Sequence, residues 1–383
     1  KKKFLFLGGV VLSLTALFLF GMGYIGNAEI SFENVGDVIQ EKNEEKTIPQ
    51  EPEIAPIPPL DKEAYDAKLL ELANNPAPVV SKPIIKKVKD PKTGKITEVS
   101  TPAPAVAQKP NIWPVKTIYP NDGAILPFKR VVAYYGNLYS KKMGVLGEYE
   151  PDVVLEKLTA QVKEWEDADP STPVQPALHY IAVVAQGDPG KDGKYRARMP
   201  DSEVDKVIEM AKKINAIVFL DIQVGLSNIN AELPTLEKYL KLPNVHLGVD
   251  PEFYMRDGKK PGKYMGTMDA SEINFAVDYL SKIVKENNLT PKILVIHRFT
   301  QKMVTNYKNI KIVPEVQFVL HMDGWGGKAK KIGTYNQFVY KEPVQFTGCK
   351  IFYKTDVKEK GTTIFTPDEL LKLNPRPIYI QYQ

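Results

Sequence analysis

The stretch DSEVDKVIEMAKKINAIVFLDIQ, residues 201–223, decides the fold class. Val204, Val207, Ile208 and Ala211 recur at spacings of three and four, which is one face of a helix. The run from Ala216 then stays apolar without alternation, as a strand buried on both faces does in parallel sheet, and it turns polar at Asp221 and Gln223. The unit is a helix feeding a buried strand whose C-terminal end carries chemistry.

Moving outward, the same unit recurs. Candidate strands are 130–136, 177–185, 216–223, 245–250, 292–297, 316–322, 349–354 and 377–382. Helical patterns lie between them at 152–166, 201–214, 236–242, 270–289 and 367–373. Asp201 and Ser202 lead one helix, Asp269-Ala-Ser-Glu272 has the form of a capping box, and Thr366-Pro367 puts proline at a first helical position. Eight strands alternating with helices over some 260 residues predict an α/β protein, a (β/α)8 TIM-type barrel. An open doubly wound sheet is the alternative, and no Gly-x-Gly-x-x-Gly follows a strand to support it. The pattern ends on strand eight, so the barrel is expected to lack its last helix. Residues 110–129, with Trp113, Tyr119 and Phe128, are expected to pack across that gap or cap the barrel floor.

The upstream third is different in kind. Of 31 prolines, 14 fall in residues 49–120, and a single cysteine, Cys349, excludes an intramolecular disulfide and a thiolate zinc cluster. Lys1, Lys2 and Lys3 precede an apolar run from Phe4 to Ile25, so residues 1–28 read as a signal peptide or membrane anchor. Residues 29–120 read as a disordered Pro/Lys/Glu-rich linker, within which Asp61 to Asn74 can form a short helix burying Leu69, Leu70 and Leu72. The cluster from Lys82 to Lys95 reads as a solvated charge run. Residues 121–383 form the barrel domain. Its net charge of +4 is no nucleic-acid footprint. The expected location is the outer side of the cytoplasmic membrane, anchored there or secreted.

Polar residues gather where each strand ends, and in this fold those ends meet at one mouth. Asp250-Pro-Glu252 is the sharpest element. Residues i and i+2 of a strand share a face, and Pro251 lacks the N–H that pairing needs, so Glu252 should be released at the rim. At about 6.5 Å and an effective dielectric of about 20, two such carboxylates repel by ~2.6 kcal/mol, which favours keeping one protonated. An acid beside a base suits glycoside hydrolysis. The plainer reading has Asp250 capping a loop N–H and Glu252 paired with Arg256 or Lys263.

Asp221, Gln223, His297, His321, Asp323, Lys354 and Gln381 are expected to line the same mouth, with Trp325 as a stacking plate for a sugar ring. His179 and His246 fall at strand starts and read as core or cap residues. No His-x-His or His-Glu-x-x-His spacing occurs, so no metal and no cofactor is expected. Loops 139–147, 187–198 and 254–267 are long and glycine-marked, as ligand-binding loops of barrels are.

The pieces Tyr134-Tyr-Gly136, Met143-Gly-Val-Leu-Gly147, Val184-Ala-Gln-Gly187, Leu220-Asp-Ile-Gln223, Asp250-Pro-Glu252, Ile296-His-Arg-Phe299, His321-Met-Asp-Gly324 and Phe352-Tyr-Lys354 resemble a largely uncharacterised family of secreted or membrane-tethered bacterial barrel proteins. The resemblance covers residues 130–383 and carries no reaction with it. More distantly, Asp250-x-Glu252 is similar to the end of the acidic motif of barrel chitinases and to the Asp-x-Glu of barrel lysozymes. That likeness implies a general acid at Glu252 and a substrate-orienting role for Asp250. Val245 and Gly248 stand where the chitinase pattern has two earlier aspartates.

The expected function is therefore an extracellular glycoside-hydrolase-like barrel acting on cell-wall or other extracellular polysaccharide, with Glu252 as acid/base and Asp250 as its partner. Two alternatives are a metal-dependent phosphodiesterase using Asp250, Glu252, His297 and His321, and a non-catalytic wall-binding barrel.

Overall fold

The computed structural model describes residues 57–77, 84–89, 91, 94–101 and 111–383. Residues 1–28, read above as a signal peptide or anchor, and much of the expected linker lie outside these residues. Among the described residues no helix is long and apolar enough to cross a membrane.

Eight parallel strands close on themselves. They are β1 (Arg130–Gly136), β2 (Val174–Ala185), β3 (Ile217–Ile222), β4 (Val245–Val249), β5 (Lys292–Arg298), β6 (Val316–Met322), β7 (Phe346–Ile351) and β8 (Tyr379–Tyr382). Each pairs with the next, and β1 pairs with both β2 and β8 (Val131 opposite Tyr379, Arg130 opposite Val174), which closes the barrel. The predicted (β/α)8 fold is the observed one. Most boundaries fall within a residue or two of those expected; β7 begins three residues early and β2 also starts three residues early.

The longest outer helices are α2 (Pro151–Ala168), α3 (Asp201–Lys212), α4 (Ala270–Glu286) and α5 (Lys328–Tyr335). Helix α4 shows why they form. Asp269 and Glu272 make a complete capping box, and Ile273, Ala276, Val277, Leu280, Ile283 and Val284 present one buried stripe to the sheet. Each Ile, Leu and Val of that stripe contributes about 1.5–3 kcal/mol by leaving water. Thr366 and Glu369 form a second capping box as expected, whereas Asp201 does not cap α3; it is the helix's first residue and pairs with Lys238 at 2.6 Å.

The linker reading needs correcting at residues 57–77. Lys62–Ala73 form helix α1, and its Tyr65 and Leu72 join Val131, Ala133, Ile217, Phe219, Val295, Val319 and Tyr379 in the cluster that fills the lower barrel. Leu72 O accepts from Arg376 N at 2.7 Å, and Asn74 Nδ2 donates to Leu373 O at 2.8 Å. Of the three leucines expected to be buried, Leu70 is exposed, because the helix turns Tyr65, Leu72 and Ala73 inward instead. Residues 125–128 cross the same floor: Gln317 Oε1 accepts from Ile125 N and Leu126 N at 3.0 and 3.1 Å, and Tyr65 packs edge-on against Tyr119 and Phe128. A helix and an extended strap thus plug the barrel's N-terminal end. Farther along, Ile84–Lys89 and Ile96–Thr101 pair as an antiparallel ribbon, so the Lys82 to Lys95 segment is not simply a charge run.

Alternate strand residues face the barrel axis. The inward set is apolar below (Val131 and Ala133; Ile217 and Phe219; Ile293 and Val295) and polar above (Tyr135, Asp221 and His297), one polar layer carried on an apolar plug.

Candidate active site

The register of the strands sets the polar layer. His297 on β5 sits opposite His321 on β6, His321 opposite Gly348 on β7, Asp221 on β3 opposite Gly248 on β4, and Lys350 on β7 opposite Gln381 on β8. Both glycines make room for rings. A Cβ on Gly248 would lie 2.4 Å from His179 Nε2 and 2.5 Å from Asp221 Oδ1, and one on Gly348 would lie 2.5 Å from His321 Nδ1.

At the centre, His297 Nδ1 donates to Asp323 Oδ2 at 2.8 Å. Lys350 Nζ lies 3.1 Å from Asp323 Oδ1 and 3.7 Å from the centre of the Tyr135 ring. Tyr135 OH donates to Asp221 Oδ2 at 3.0 Å and accepts from Gln223 Nε2 at 3.2 Å. His179 Nδ1 is 2.6 Å from Tyr379 OH, and Gln381 Nε2 lies within 3.1 Å of both. Asp221 Oδ1 faces His179 Nε2 at 3.4 Å and His297 Nε2 at 3.6 Å. These side chains are buried; the three histidines and Asp221 have no exposed surface.

Strand β4 stops at Val249, and Pro251–Phe253 make one 3-10 turn. Asp250 caps it, its Oδ1 accepting from Glu252 N at 3.0 Å. Glu252 is half-buried at the rim, above the fully enclosed layer. It does not pair with Arg256, whose guanidinium goes to Glu272.

The carboxyls divide by surroundings. Burial pushes Asp250 up to about 7, with the neighbouring Asp323 and Asp221 charges adding to the effect. Burial, then Asp250, then Asp323 raise Glu252 well above the usual carboxyl range. Burial acts on Asp323 in the same direction, but Lys350 and then His297 outweigh it and hold that carboxylate well below its ordinary value. Asp221 is likewise held low, burial being overcome by His297 and His179. Burial lowers His179 to about 4 and His321 well below its ordinary value, whereas for His297 the carboxylates Asp221 and Asp323 outweigh burial and raise it.

Asp221, Gln223, Asp250, Glu252, His297, His321, Asp323 and Gln381 therefore stand at one end of the barrel. One expected member does not join them. Lys354 lies past the end of β7, exposed, with Nζ 2.6 Å from Glu148, and Lys350 occupies the inward position because β7 runs from Phe346. Trp325 is 45% exposed, with the Lys330 ammonium 4.2 Å from its ring centre. His179, read as a strand-start residue, sits mid-strand in the polar layer, since β2 begins at Val174. Tyr135, Lys350 and Tyr379 are further members that sequence reasoning missed. Of these only Tyr379 has a signal in the sequence, the in-strand Gly348 that its ring and that of His321 face. His246 is a core residue as expected, its Nδ1 accepting from Ile293 N at 3.0 Å. The ligand set imagined for a metal, Asp250, Glu252, His297 and His321, is not the one that converges; among the described residues the converging sets are His179, Asp221 and His297, and His297, His321 and Asp323.

No family model and no curated protein matches this chain. Among solved structures it is similar to a Bacillus subtilis mannanase, at 13% identity and a TM-score of 0.37 over 67% of this chain and 79% of that one. It is also similar to a hyperthermophilic endo-beta-1,4-glucanase, at 11% identity and a TM-score of 0.31 over 55% and 77%. The likeness concerns the barrel alone.

Proposed function

We propose that this chain is a barrel hydrolase of the glycoside-hydrolase type. The observation that supports it is the division of carboxyls at one mouth: Asp250, buried, and Glu252, half-buried, have no cation against them among the described residues, while Asp323 has the Lys350 ammonium at 3.1 Å and the His297 imidazole at 2.8 Å. A carboxyl kept protonated near neutral pH can deliver a proton to a leaving oxygen, and a carboxylate kept ionised can serve as base, nucleophile or stabiliser of a developing oxocarbenium ion. Glu252 is the proton donor because it reaches the rim. Asp250, beneath it, fixes the turn through the Glu252 N–H and raises the Glu252 carboxyl by its charge.

The substrate class is cell-wall or other extracellular polysaccharide, and the working location is outside the cytoplasmic membrane. The N-terminal Lys-flanked apolar segment and the proline-rich tether support that location. Reducing-end release from a panel of wall and β-linked polysaccharides tests the reading. Turnover by the wild type that disappears in Glu252→Gln, with glycan binding retained, is the expected result; binding by both with turnover by neither replaces it with a wall-binding barrel.

A further inference from the structure

Three ligand-type atoms in the polar layer point at one another across a gap no hydrogen bond spans. His179 Nε2 and Asp221 Oδ1 are 3.4 Å apart, His297 Nε2 and Asp221 Oδ1 3.6 Å, and all three lie within 4.8 Å of each other. Amide- and ring-type N–H···O bonds centre on about 2.9–3.0 Å, and none of these three atoms has a hydrogen-bond partner among the described residues. Buried polar atoms left so are rare and costly. Two ligands about 2.05 Å from a tetrahedral zinc ion stand about 3.3–3.4 Å apart, which is close to what is seen here.

We propose that His179, Asp221 and His297 hold one divalent cation of the zinc class inside the barrel. The other atom of each ligand is already fixed. Tyr379 OH meets His179 Nδ1 at 2.6 Å, Asp323 Oδ2 accepts from His297 Nδ1 at 2.8 Å, and Tyr135 OH donates to Asp221 Oδ2 at 3.0 Å. Outer partners of this kind set the tautomer and aim the free lone pair at the metal. The space is provided for by Gly248, where any Cβ would press on both His179 Nε2 and Asp221 Oδ1. Three side chains leave a tetrahedral ion one position open, as in a catalytic rather than a structural site.

The neighbouring set His297, His321 and Asp323 is the weaker choice. Its carboxylate already accepts from His297 Nδ1, and its second oxygen faces the Lys350 ammonium at 3.1 Å, which repels a cation. The proposal departs from the expectation of no metal that the motif spacing carried. That spacing is blind to it because the ligands sit on β2, β3 and β5, one per strand. It does not rest on the acid–base reading of Glu252, since the metal is read out without substrate.

The test uses the full chain, stripped with chelator and dialysed in metal-free buffer, then titrated with Co(II) and with zinc. The expected result is one visible-absorbing, four-coordinate Co(II) per chain, displaced by one equivalent of zinc, and a melting temperature that rises with free zinc. His179→Gln and Asp221→Asn should abolish stoichiometric binding, and Tyr135→Phe, which keeps the ring and loses only the outer hydroxyl, should weaken it about 10- to 100-fold. Lys354→Ala should bind like the wild type. Absence of cobalt absorption and of any zinc-dependent melting shift in the wild type overturns the proposal. So does full-affinity binding by His179→Gln or Asp221→Asn. Should those two variants fail to fold, unchanged affinity in Tyr135→Phe overturns it.

Discussion

Lys350 Nζ and Asp323 Oδ1 form an ion pair of 3.1 Å between two side chains that are each at least 95% buried. Ion pairs this enclosed gain little over an apolar pair, but removing one partner strands the other charge. Lys350→Met should therefore destabilise the barrel by about 3–5 kcal/mol, and adding Asp323→Asn should recover part of that loss. Urea unfolding of the two single variants and the double variant measures the coupling; additive losses would remove the pair from the account.

Asp250 gives the barrel a pH dependence of definite sign. Its folded pKa is raised, from an ordinary carboxyl value to about 7, so the protonated form is favoured by folding. That contribution is fully present below about pH 4 and is lost as pH rises through about 7. Asp250→Asn should lose less stability than the wild type between these limits. Urea midpoints across that range report it, and parallel curves for the two proteins would count against a buried, protonated Asp250. His179, lowered to about 4, acts with the opposite sign between about pH 4 and 6.5 and is common to both proteins, so the comparison cancels it.

Helix α1 belongs to the folded unit. Tyr65 is 2% exposed and closes the barrel floor against Tyr119 and Phe128. Tyr65→Ala should cost about 3–5 kcal/mol. A chain beginning at Pro110 should unfold at lower denaturant than one beginning before α1, whereas composition alone predicts no difference between them. Equal midpoints would return residues 57–77 to the linker.

Gly348 is required by the ring it faces. With a Cβ 2.5 Å from His321 Nδ1 and 3.0 Å from the Tyr379 backbone oxygen, Gly348→Ala should cost about 1–3 kcal/mol. His321→Ala in the same chain relieves the closer clash and should offset part of that cost. Thermal unfolding of the single and double variants decides it.

The barrel was legible because its strands are apolar runs that stop at polar residues, and Asp221, Asp250, His297, His321 and Asp323 were found as those stops. What lay inside a run was not legible. Tyr135, His179, Lys350 and Tyr379 face the axis between apolar neighbours, where a polar residue looks like a core exception. The apolar run read as 349–354 puts Lys354 at a strand end, whereas β7 begins at Phe346, where Gly348 admits the His321 ring, and so places Lys350 on the inward face. The apolar run read as 177–185 puts His179 near a strand start, whereas β2 begins at Val174. Helix α1 was expected over Asp61 to Asn74, but not as part of the barrel floor, because it buries only Tyr65, Leu72 and Ala73, too few for a periodic stripe, and lies among prolines.

The central claim is that one mouth holds Asp250 and Glu252 protonated beside Asp221 and Asp323 ionised. Carboxyl-resolved NMR titration, with assignments from Asp250→Asn, Glu252→Gln and Asp323→Asn, measures it directly. The account predicts Glu252 well above the ordinary carboxyl range, Asp250 near 7, Asp323 below that range, and a downward shift of Glu252 in Asp250→Asn because a neighbouring charge is gone. Three independent titrations near the ordinary value of about 4, unchanged by the Asp250 substitution, would contradict it.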